Sequence, residues 1–230
     1  MTKRKAICLI SDGLDSPVAT FLIEQKGLEV IGINFDNKPM VTFTKKENLS
    51  RKIEPIKSQI TNIASVLVKA FKEQDSFNLY IIPNGQDLKD IVDHTKDPQI
   101  TCVLCKRLML RKAEQVAIQL DADFIVTGEI LGEQASQTID NLRNIESVLK
   151  TKQLVRPLVG LNKEEVINIS RSIGTNTYSE LAAKYTCAAV PNKPATHTIF
   201  ERIKVAEMML NLDEIAENIL ANTQKFTYYK

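Results

Sequence analysis

The sequence predicts a doubly wound α/β fold, with a mainly parallel five-stranded sheet and helices on both faces. Short apolar runs alternate along the chain with longer segments of helical periodicity, which is the order of elements in such a fold. The first runs are continuously apolar, as expected for strands that are buried on both faces of a parallel sheet. Ligands of this fold class bind at the carboxyl ends of the strands.

The strands and helices follow in order from these patterns. The predicted strands are residues 6–10, 30–35, 79–82, 123–127 and 154–155. The predicted helices are residues 17–25, 45–72, 87–94, 103–120, 136–149, 163–173 and 200–222. Ser16 is expected to cap the first helix, with Pro17 at its first position and Gly27 beyond its end. Residues 178–197 are expected to be irregular because they contain two prolines.

Length and composition limit the classes of protein that fit the sequence. The 230 residues suit one α/β domain, residues 1–198, with a C-terminal helical extension, residues 199–230, packed on it. A net charge of +2 does not by itself indicate a nucleic-acid-binding protein. No apolar run approaches the ~20 residues of a membrane helix, so we expect a soluble cytoplasmic protein without membrane contact.

The first predicted strand leads into a short loop, residues 11–16, with the sequence Ser-Asp-Gly-Leu-Asp-Ser. A glycine turn between a buried strand and a helix N-terminus directs backbone N–H groups at one point, which favours anion binding. The hydroxyls of Ser11 and Ser16 add donors, and the Asp15 carboxylate can hold a metal ion beside phosphates. The loop matches neither Walker A nor the dinucleotide fingerprint. A tight turn without a ligand is the alternative.

This loop resembles the Ser-Gly-Gly-x-Asp-Ser signature of the PP-loop ATP pyrophosphatases, which have a Rossmann-like fold. These enzymes cleave ATP to AMP and pyrophosphate while they adenylate a substrate. Asp12 stands where the family usually has glycine. Aspartate tolerates left-handed backbone conformations, so the turn can still form. Its carboxylate would oppose pyrophosphate binding unless it points away or meets Mg²⁺.

Three later blocks, residues 102–111, 126–143 and 155–165, narrow the resemblance. Together with the loop they resemble the catalytic domain of tRNA 4-thiouridine sulfurtransferases, from about residue 5 to about residue 198. We expect a stand-alone catalytic domain, without the THUMP and rhodanese modules of longer family members. The resemblance implies ATP and Mg²⁺ as cofactors, with tRNA and a sulfide or persulfide donor as partners. It leaves a homodimer open.

The resemblance also implies roles for single positions. Asp15 and Lys163 match residues that the family uses for adenylation, and Cys187 matches its catalytic cysteine. The helix dipole disfavours a lysine at a helix N-terminus, which favours a functional role for Lys163. The positions that match nucleotide contacts are Leu9, Ile10, Ser11, Gly13, Ser16, Asn34, Phe35, Lys106, Gly128 and Gln137.

The chain contains four cysteines, of which Cys8 is expected to be a core residue of the first strand. Cys102, Cys105 and Cys187 resemble the ligands of family members that hold an iron–sulfur cluster with three thiolates and an open iron position. Three ligands are too few for a structural zinc site. A disulfide between Cys187 and Cys102 or Cys105, which resolves a persulfide, and three unlinked thiols are the alternatives.

The leading hypothesis is an ATP-dependent sulfurtransferase that adenylates a uridine carbonyl oxygen in tRNA and replaces it with sulfur to give thiouridine. Adenylation turns that oxygen into a leaving group. Arg107, Arg111 and Lys112 fit either a solvated helix face or contacts with the tRNA backbone. Two alternatives remain. One is a PP-loop adenylating enzyme for a small molecule or carrier protein, and the other is a nucleotide-binding protein that has lost catalysis.

Overall fold

The computed structural model describes residues 3–44, 58–210, 212 and 219–230. The central sheet contains β1 (Lys5–Leu9), β2 (Glu29–Asp36), β4 (Ser76–Pro83), β5 (Phe124–Val126), β6 (Gln153–Val155) and β8 (Gln224–Tyr229). These six strands lie in the order β6-β5-β1-β2-β4-β8. Neighbouring strands pair in parallel except β4 and β8, which are antiparallel. A separate antiparallel ribbon joins β3 (Val41–Phe43) to β7 (Tyr185–Cys187).

The described residues also form α-helices before, between and after these strands. They are α1 (Asp15–Glu24), α2 (Ile60–Ala70), α3 (Gly85–His94), α4 (Thr101–Gln119), α5 (Ile139–Glu146), α6 (Lys163–Ser172), α7 (Asn176–Ala182) and α8 (Phe200–Glu207). Short 3₁₀ helices lie at Pro98–Ile100, Ala135–Gln137 and Ile219–Asn222. No helix within these ranges is long and apolar enough to cross a lipid bilayer.

Helices cover both faces of the sheet, as predicted, and the alternating side chains of β1 separate the two cores. Ile7 packs in one buried cluster with residues of α4 such as Leu104. Ala6 and Cys8 pack in the other, with residues of α1, α2 and α6 such as Leu67. Because the strands are buried on both faces, their carboxyl ends remain the accessible part of the sheet.

The sheet has one strand more than predicted, because β8 lies within residues 199–230, which were predicted to be a helical extension. Five of its six residues are exposed, so β8 lacks the continuous apolar run of the central strands. It is held instead by pairing with β4, from Gln224 opposite Ile81 to Tyr229 opposite Ser76. The predicted helix at residues 200–222 is also too long, since α8 ends at Glu207. Residues 211 and 213–218 of that prediction lie outside the described residues, and the domain boundary at residue 198 stays a prediction.

Three local predictions need correction. The first helix begins at Asp15, and Ser16 bonds within the loop instead of capping the helix. Pro17 is therefore the third helical residue rather than the first. Residues 178–197 are not irregular throughout, because α7 extends into them and β7 pairs with the distant β3, a contact that local sequence does not signal. The predicted helix at residues 45–72 is described only from residue 58 and is helical from Ile60; residues 45–57 lie outside the described residues.

Two basic side chains of α4 tie helices together instead of facing solvent or RNA. Arg107, only 3% exposed, donates two hydrogen bonds to the Glu207 carboxylate, at 2.7 and 2.9 Å. Lys112, also 3% exposed, pairs with Asp87. Arg111 contacts Glu207 at 2.8 Å and is 14% exposed. Arg107 and Lys112 therefore fit neither of the two predicted roles, a solvated helix face or contacts with the tRNA backbone.

Candidate active site

Residues 11–16 form a compact loop between β1 and α1 that is held by its own two serines. The Ser11 N–H donates to Ser16 Oγ at 2.8 Å, and the two hydroxyl oxygens are 3.1 Å apart. The Gly13 N–H donates to Ser11 Oγ at 3.2 Å. Leu14, at the N-cap position of α1, gives no side-chain hydrogen bond. An uncapped helix N-terminus behind a glycine turn is the geometry that an anion site needs.

Gly128, just after β5, contacts the start of α1 closely. A Cβ atom at this position would lie 2.7 Å from Ser16 Cα and 2.8 Å from Ser16 N. These neighbours are backbone atoms, so they cannot rotate away as a side chain could. Glycine is required here because the strand end and the loop share this space.

A cleft of about 280 Å³, called the first cleft, opens between the loop, α4 and the carboxyl end of β5. Seven of the ten residues predicted to contact the nucleotide line it, together with Asp15. The seven are Leu9, Ser11, Gly13, Ser16, Lys106, Gly128 and Gln137. The other three, Ile10, Asn34 and Phe35, are not among its lining residues. Asn34 is buried and donates from Nδ2 to the Ile10 carbonyl at 2.8 Å, so it links the ends of β1 and β2.

An ion network crosses the floor of the first cleft. Lys106 lies 3.4 Å from Glu129, and Arg156 approaches the same carboxylate at 3.4 Å. The Thr127 hydroxyl also donates to Glu129. Burial alone would raise the pKa of Glu129, but Lys106, Thr127 and Arg156 hold it below its ordinary value of 4.5. Glu129 is therefore an anion at neutral pH that positions Lys106.

Sequence reasoning did not assign roles to Glu129 and Arg156. Both lie inside the sequence blocks that carry the family resemblance, Glu129 just after β5 and Arg156 just after β6. That position, at the carboxyl end of a parallel strand, is where side chains of this fold reach the ligand. The signal was present, but no motif separated these two residues from their neighbours.

Lys163 lies at the start of α6, between two carboxylates. Its Nζ is 2.8 Å from Asp15 Oδ1 and 2.8 Å from Glu133 Oε2. Burial lowers the pKa of Lys163, but the hydrogen bonds with Asp15 and Glu133 outweigh it and raise the pKa. The fold therefore brings Asp15 and Lys163 together at the edge of the first cleft, although they are 148 positions apart in the chain.

Gln137 and Asn141 each have a buried side-chain oxygen without a hydrogen-bond partner in the described part of the chain. An unpaired buried acceptor costs free energy and calls for an explanation. Gln137 lines the first cleft, so a ligand N–H group could satisfy its Oε1 atom.

Asp12 is directed away from the first cleft. The Ser58 hydroxyl contacts both carboxylate oxygens of Asp12, at 2.8 and 3.0 Å. Burial raises the pKa of Asp12, against the effect of the hydrogen bond from Ser58. The unfavourable contact that Asp12 would make with a bound pyrophosphate is thus avoided, because the residue is not among those that line the first cleft.

A second cleft, of about 460 Å³, lies beside the same loop and contains Cys187. Cys187 ends β7, opposite Val41 of β3. Cys102 and Cys105 lie in the first turns of α4, and all three thiols are free. Burial raises the pKa of Cys102 and Cys187, and that of Cys105 to about 12. The charge of a Cys187 thiolate also acts to raise the pKa of Cys102 and Cys105.

These thiols do not form a ready metal site. Within the ranges that the structure describes, no group of three Cys, His, Asp or Glu side chains is placed to hold a metal ion.

The fourth cysteine, Cys8, is fully buried in the core, as expected.

Comparison with known families gives a direct assignment. The family model for thiamine biosynthesis protein (ThiI) matches residues 1–212. The chain belongs to this family. A probable tRNA sulfurtransferase of Acetivibrio thermocellus is 31% identical over 97% of this chain and 53% of its own length. One from Ureaplasma parvum is 35% identical over 97% of this chain and 54% of its own length.

Solved structures share the fold of this chain, and the relatives are longer than the chain. A crystal structure of a 4-thiouridine synthetase–RNA complex with bound ATP matches with a TM-score of 0.83 and 26% identity, over 98% of this chain and 55% of that chain. An NMN synthetase from Francisella tularensis, at a TM-score of 0.51 and 14% identity, shares the fold alone. The chain spans about half the length of the curated relatives it matches.

Proposed function

We propose that the protein uses ATP to adenylate a uridine carbonyl oxygen in tRNA and replaces that oxygen with sulfur to give thiouridine. One observation carries the proposal: the loop of residues 11–16 borders two clefts. The first contains most of the residues expected to contact a nucleotide, and the second contains Cys187. The ATP phosphates held by the loop would then lie beside a cleft whose Cys187 side chain can present sulfur.

ATP would bind in the first cleft. The N–H groups at the start of α1 and the cation Lys106 would bind its phosphates. The Gln137 Oε1 atom, buried and without a partner among the described residues, would accept a hydrogen bond from the adenine amino group. The relative of known structure that was crystallised with ATP supports this assignment.

Asp15 is the residue that would hold Mg²⁺. Its Oδ1 atom accepts from Lys163, and its Oδ2 atom has no hydrogen-bond partner in the described residues. Magnesium in nucleotide sites takes one or two carboxylates together with substrate phosphates, so one free carboxylate oxygen fits. When bound, the ion would neutralise charge on the leaving pyrophosphate.

In the first step the uridine carbonyl oxygen would attack the α-phosphorus of ATP, and pyrophosphate would leave. The ring gives up its N3 proton, and an O-adenylated ring is formed. Lys163 would stabilise the charge that develops on the phosphorus, because its ammonium group is fixed by Asp15 and Glu133. In the second step a sulfur nucleophile adds to the same ring carbon, and AMP leaves with the original oxygen.

Cys187 would present this sulfur as a persulfide that an external donor supplies. The terminal sulfur would attack the ring carbon as AMP leaves, giving a mixed disulfide between the ring and Cys187. The thiolate of Cys102 or Cys105 would then attack the Cys187 sulfur, releasing thiouridine and leaving a protein disulfide. An external thiol would reduce that disulfide to complete the cycle.

An iron–sulfur cluster held by Cys102, Cys105 and Cys187 is the other sulfur carrier that the family resemblance implies. Because no ready metal site exists among the described residues, the route above uses thiols alone. Purification without oxygen tests the cluster. Bound iron with visible absorption would support it, whereas iron-free protein with three intact thiols would contradict it.

The substrate and its partners follow from the relatives. Those relatives are named tRNA sulfurtransferases, and one structural relative was crystallised with RNA. We therefore infer tRNA as the substrate and the cytoplasm as the compartment. Gel filtration with and without tRNA would detect a second copy of the chain or a separate RNA-binding protein as a partner.

The direct test is incubation of the protein with ATP, Mg²⁺, a persulfide donor, a thiol reductant and tRNA under anaerobic conditions, followed by nucleoside analysis. We expect AMP, pyrophosphate and thiouridine. AMP formation with a small molecule or carrier protein but not with tRNA would contradict the proposal. ATP binding without pyrophosphate release for any acceptor would instead indicate a nucleotide-binding protein.

A further inference from the structure

The second cleft adjoins the first at the loop, because Ser11 and Gly13 line both. Its far wall is the β3–β7 ribbon, which contributes Val41, Tyr185 and Cys187. The two strands of this wall also pack through their side chains, since the ring centroids of Phe43 and Tyr185 are 5.2 Å apart. A group in this cleft would have the loop on one side and the Cys187 thiol on the other.

Asp12 lines the second cleft and supplies an anionic acceptor to it. The hydrogen bond from Ser58 occupies only part of the carboxylate, which has about four lone-pair sites. Ser58 also accepts from the Ile60 N–H at 3.2 Å, so the carboxylate is tied to the start of α2. Asp12 is therefore a positioned acceptor rather than a mobile surface charge.

Asn37 lines the same cleft and supplies a donor. Its Oδ1 atom accepts from the buried Asn84 at 2.7 Å, which fixes the orientation of the amide. Its Nδ2 group has no partner in the described part of the chain. Asp12 and Asn37 therefore both face this cleft, one as an acceptor and the other as a donor.

A buried hydroxyl completes the polar lining. Ser179 of α7 is 6% exposed, lines the second cleft and has an Oγ atom without a hydrogen-bond partner among the described residues. A buried hydroxyl in this state calls for a partner. A polar ligand in the cleft would provide one.

We infer that the second cleft receives the uracil ring to be thiolated, with its N3–H group facing Asp12 and its C4 carbonyl facing Asn37. This inference rests on the proposed function and names the residues that select the base. Uracil presents carbonyl acceptors on both sides of an N3–H donor, so it matches a carboxylate beside an amide N–H group. Cytosine presents an N3 acceptor beside an amino donor, so both contacts would become repulsive.

The same placement accounts for the proton released in the first step. As the ring carbonyl oxygen bonds to the α-phosphorus and pyrophosphate leaves, the N3 proton would pass to the Asp12 carboxylate. When the mixed disulfide with Cys187 is cleaved and thiouridine is released, the proton would return to N3 of the ring. Asp12, the residue that departs from the family signature, thus has a function in the acceptor cleft and none in the nucleotide cleft.

The test compares the affinities of RNA probes without turnover. A short labelled oligoadenylate with one central uridine is titrated with protein, in the presence of an ATP analogue that cannot be cleaved at the α-phosphorus. Matched probes carry cytidine or N3-methyluridine at the same position. We expect roughly tenfold tighter binding of the uridine probe than of either other probe, because a mismatched polar group loses its hydrogen bond.

Two variants change the contacts while keeping the local structure. Asp12→Asn keeps an oxygen that can accept from Ser58, and Asn37→Asp keeps the oxygen that accepts from Asn84. Each should bring the uridine-to-cytidine affinity ratio close to one. Asp93→Asn, an equal charge change on the exposed face of α3, should leave the ratio at the wild-type value.

Two results would overturn the inference: no uridine preference in the wild-type protein, or the wild-type ratio retained in both variants. The ratio is measured without catalysis, so it separates this inference from the proposed function. A uridine preference that depends on Asp12 and Asn37, in a protein that forms no thiouridine, would uphold the acceptor cleft and contradict the sulfur transfer. Thiouridine formation with the ratio unchanged in both variants would uphold the sulfur transfer and contradict the acceptor cleft.

Discussion

At the scale of single residues, Lys163 has the most direct part in the proposed adenylation. Its ammonium group is held 2.8 Å from Asp15 and 2.8 Å from Glu133, so little reorganisation is needed to stabilise charge on the phosphorus. We expect Lys163→Met to slow AMP formation about 100-fold in single-turnover assays, as loss of one preorganised electrostatic contact does. Lys69→Met, at an exposed lysine of α2, is the control. An unchanged rate in Lys163→Met would remove Lys163 from the mechanism.

Cys187 should separate the two steps of the reaction. We expect Cys187→Ser to form AMP and pyrophosphate with tRNA but no thiouridine, because serine cannot carry a persulfide. Adenylation should persist, since Cys187 lies in the second cleft and ATP would bind in the first. The buried Cys8 lies outside both clefts, so Cys8→Ala should keep both products. Thiouridine formation by Cys187→Ser would show that sulfur reaches the ring without this thiol.

Single residues also show which parts of the candidate site could be predicted from the sequence alone. Lys106 and Gly128 were assigned from their place in motif blocks, and both line the first cleft. The direction of the Asp12 side chain could not be predicted, because Ser58 lies 46 residues away in the chain. The link between Glu129 and Arg156 was missed for the same reason. Local sequence specifies which groups are present, but pairings between distant strand ends depend on tertiary structure.

At the scale of elements, the close contact between β5 and α1 fixes the shape of the nucleotide loop. Gly128→Ala would place a Cβ atom 2.7 Å from Ser16 Cα, so the start of α1 must shift. We expect about 2 kcal/mol of destabilisation, typical of an added methyl group in a tightly packed site, and loss of ATP binding. Gly160→Ala, where nothing lies within 4 Å, is the matched control. Normal ATP affinity in Gly128→Ala, measured by calorimetry, would contradict this role for the contact.

A second element-scale prediction concerns the segment that leads into β6. Glu114 of α4 accepts hydrogen bonds from the N–H groups of Lys150, Thr151 and Lys152, at 2.9, 2.6 and 3.0 Å. Burial acts to raise the pKa of Glu114, but these bonds outweigh it and lower the pKa below its ordinary value of 4.5. A carboxyl group with a lowered folded-state pKa stabilises the fold above its unfolded-state pKa. This stabilisation is lost as the pH falls through the folded-state pKa.

We therefore expect Glu114→Gln to lower the free energy of unfolding by about 2 kcal/mol at neutral pH, as for hydrogen bonds to a charged group. The difference between wild type and variant should shrink as the pH falls below 4.5. Urea denaturation at a series of pH values measures it. A difference that stays constant through the acid range would show that the Glu114 charge has no such role.

The core strands could be predicted from the sequence, whereas the edge strand and the ribbon could not. The core strands β1 and β2 were predicted to within one residue at both ends, because continuous apolar runs mark strands buried on both faces. The edge strand β8 and the β3–β7 ribbon were not predicted. Their residues are mostly exposed or half-buried, and pairing with a distant strand decides their conformation.

At the scale of the whole molecule, the C-terminal part is joined to the α/β core by a buried ion pair. Arg107 of α4 bonds Glu207 of α8 and also donates to Ser147 after α5. We expect Arg107→Met to destabilise the protein by about 3 kcal/mol, because it leaves a largely buried carboxylate with fewer partners. Urea unfolding followed by circular dichroism measures it, with Arg171→Met at an exposed site as control. Unchanged stability would mean that α8 is only loosely attached.

The central claim for the whole molecule is that the carbonyl oxygen of a uridine leaves as part of AMP. It is tested most directly with tRNA whose uridines carry a heavy oxygen isotope at the carbonyl positions, incubated anaerobically with the protein, ATP, Mg²⁺, a persulfide donor and a thiol reductant. We predict that one labelled oxygen appears in the phosphate of AMP for each thiouridine formed. Thiouridine with unlabelled AMP, or labelled tRNA that yields neither product, would contradict the account.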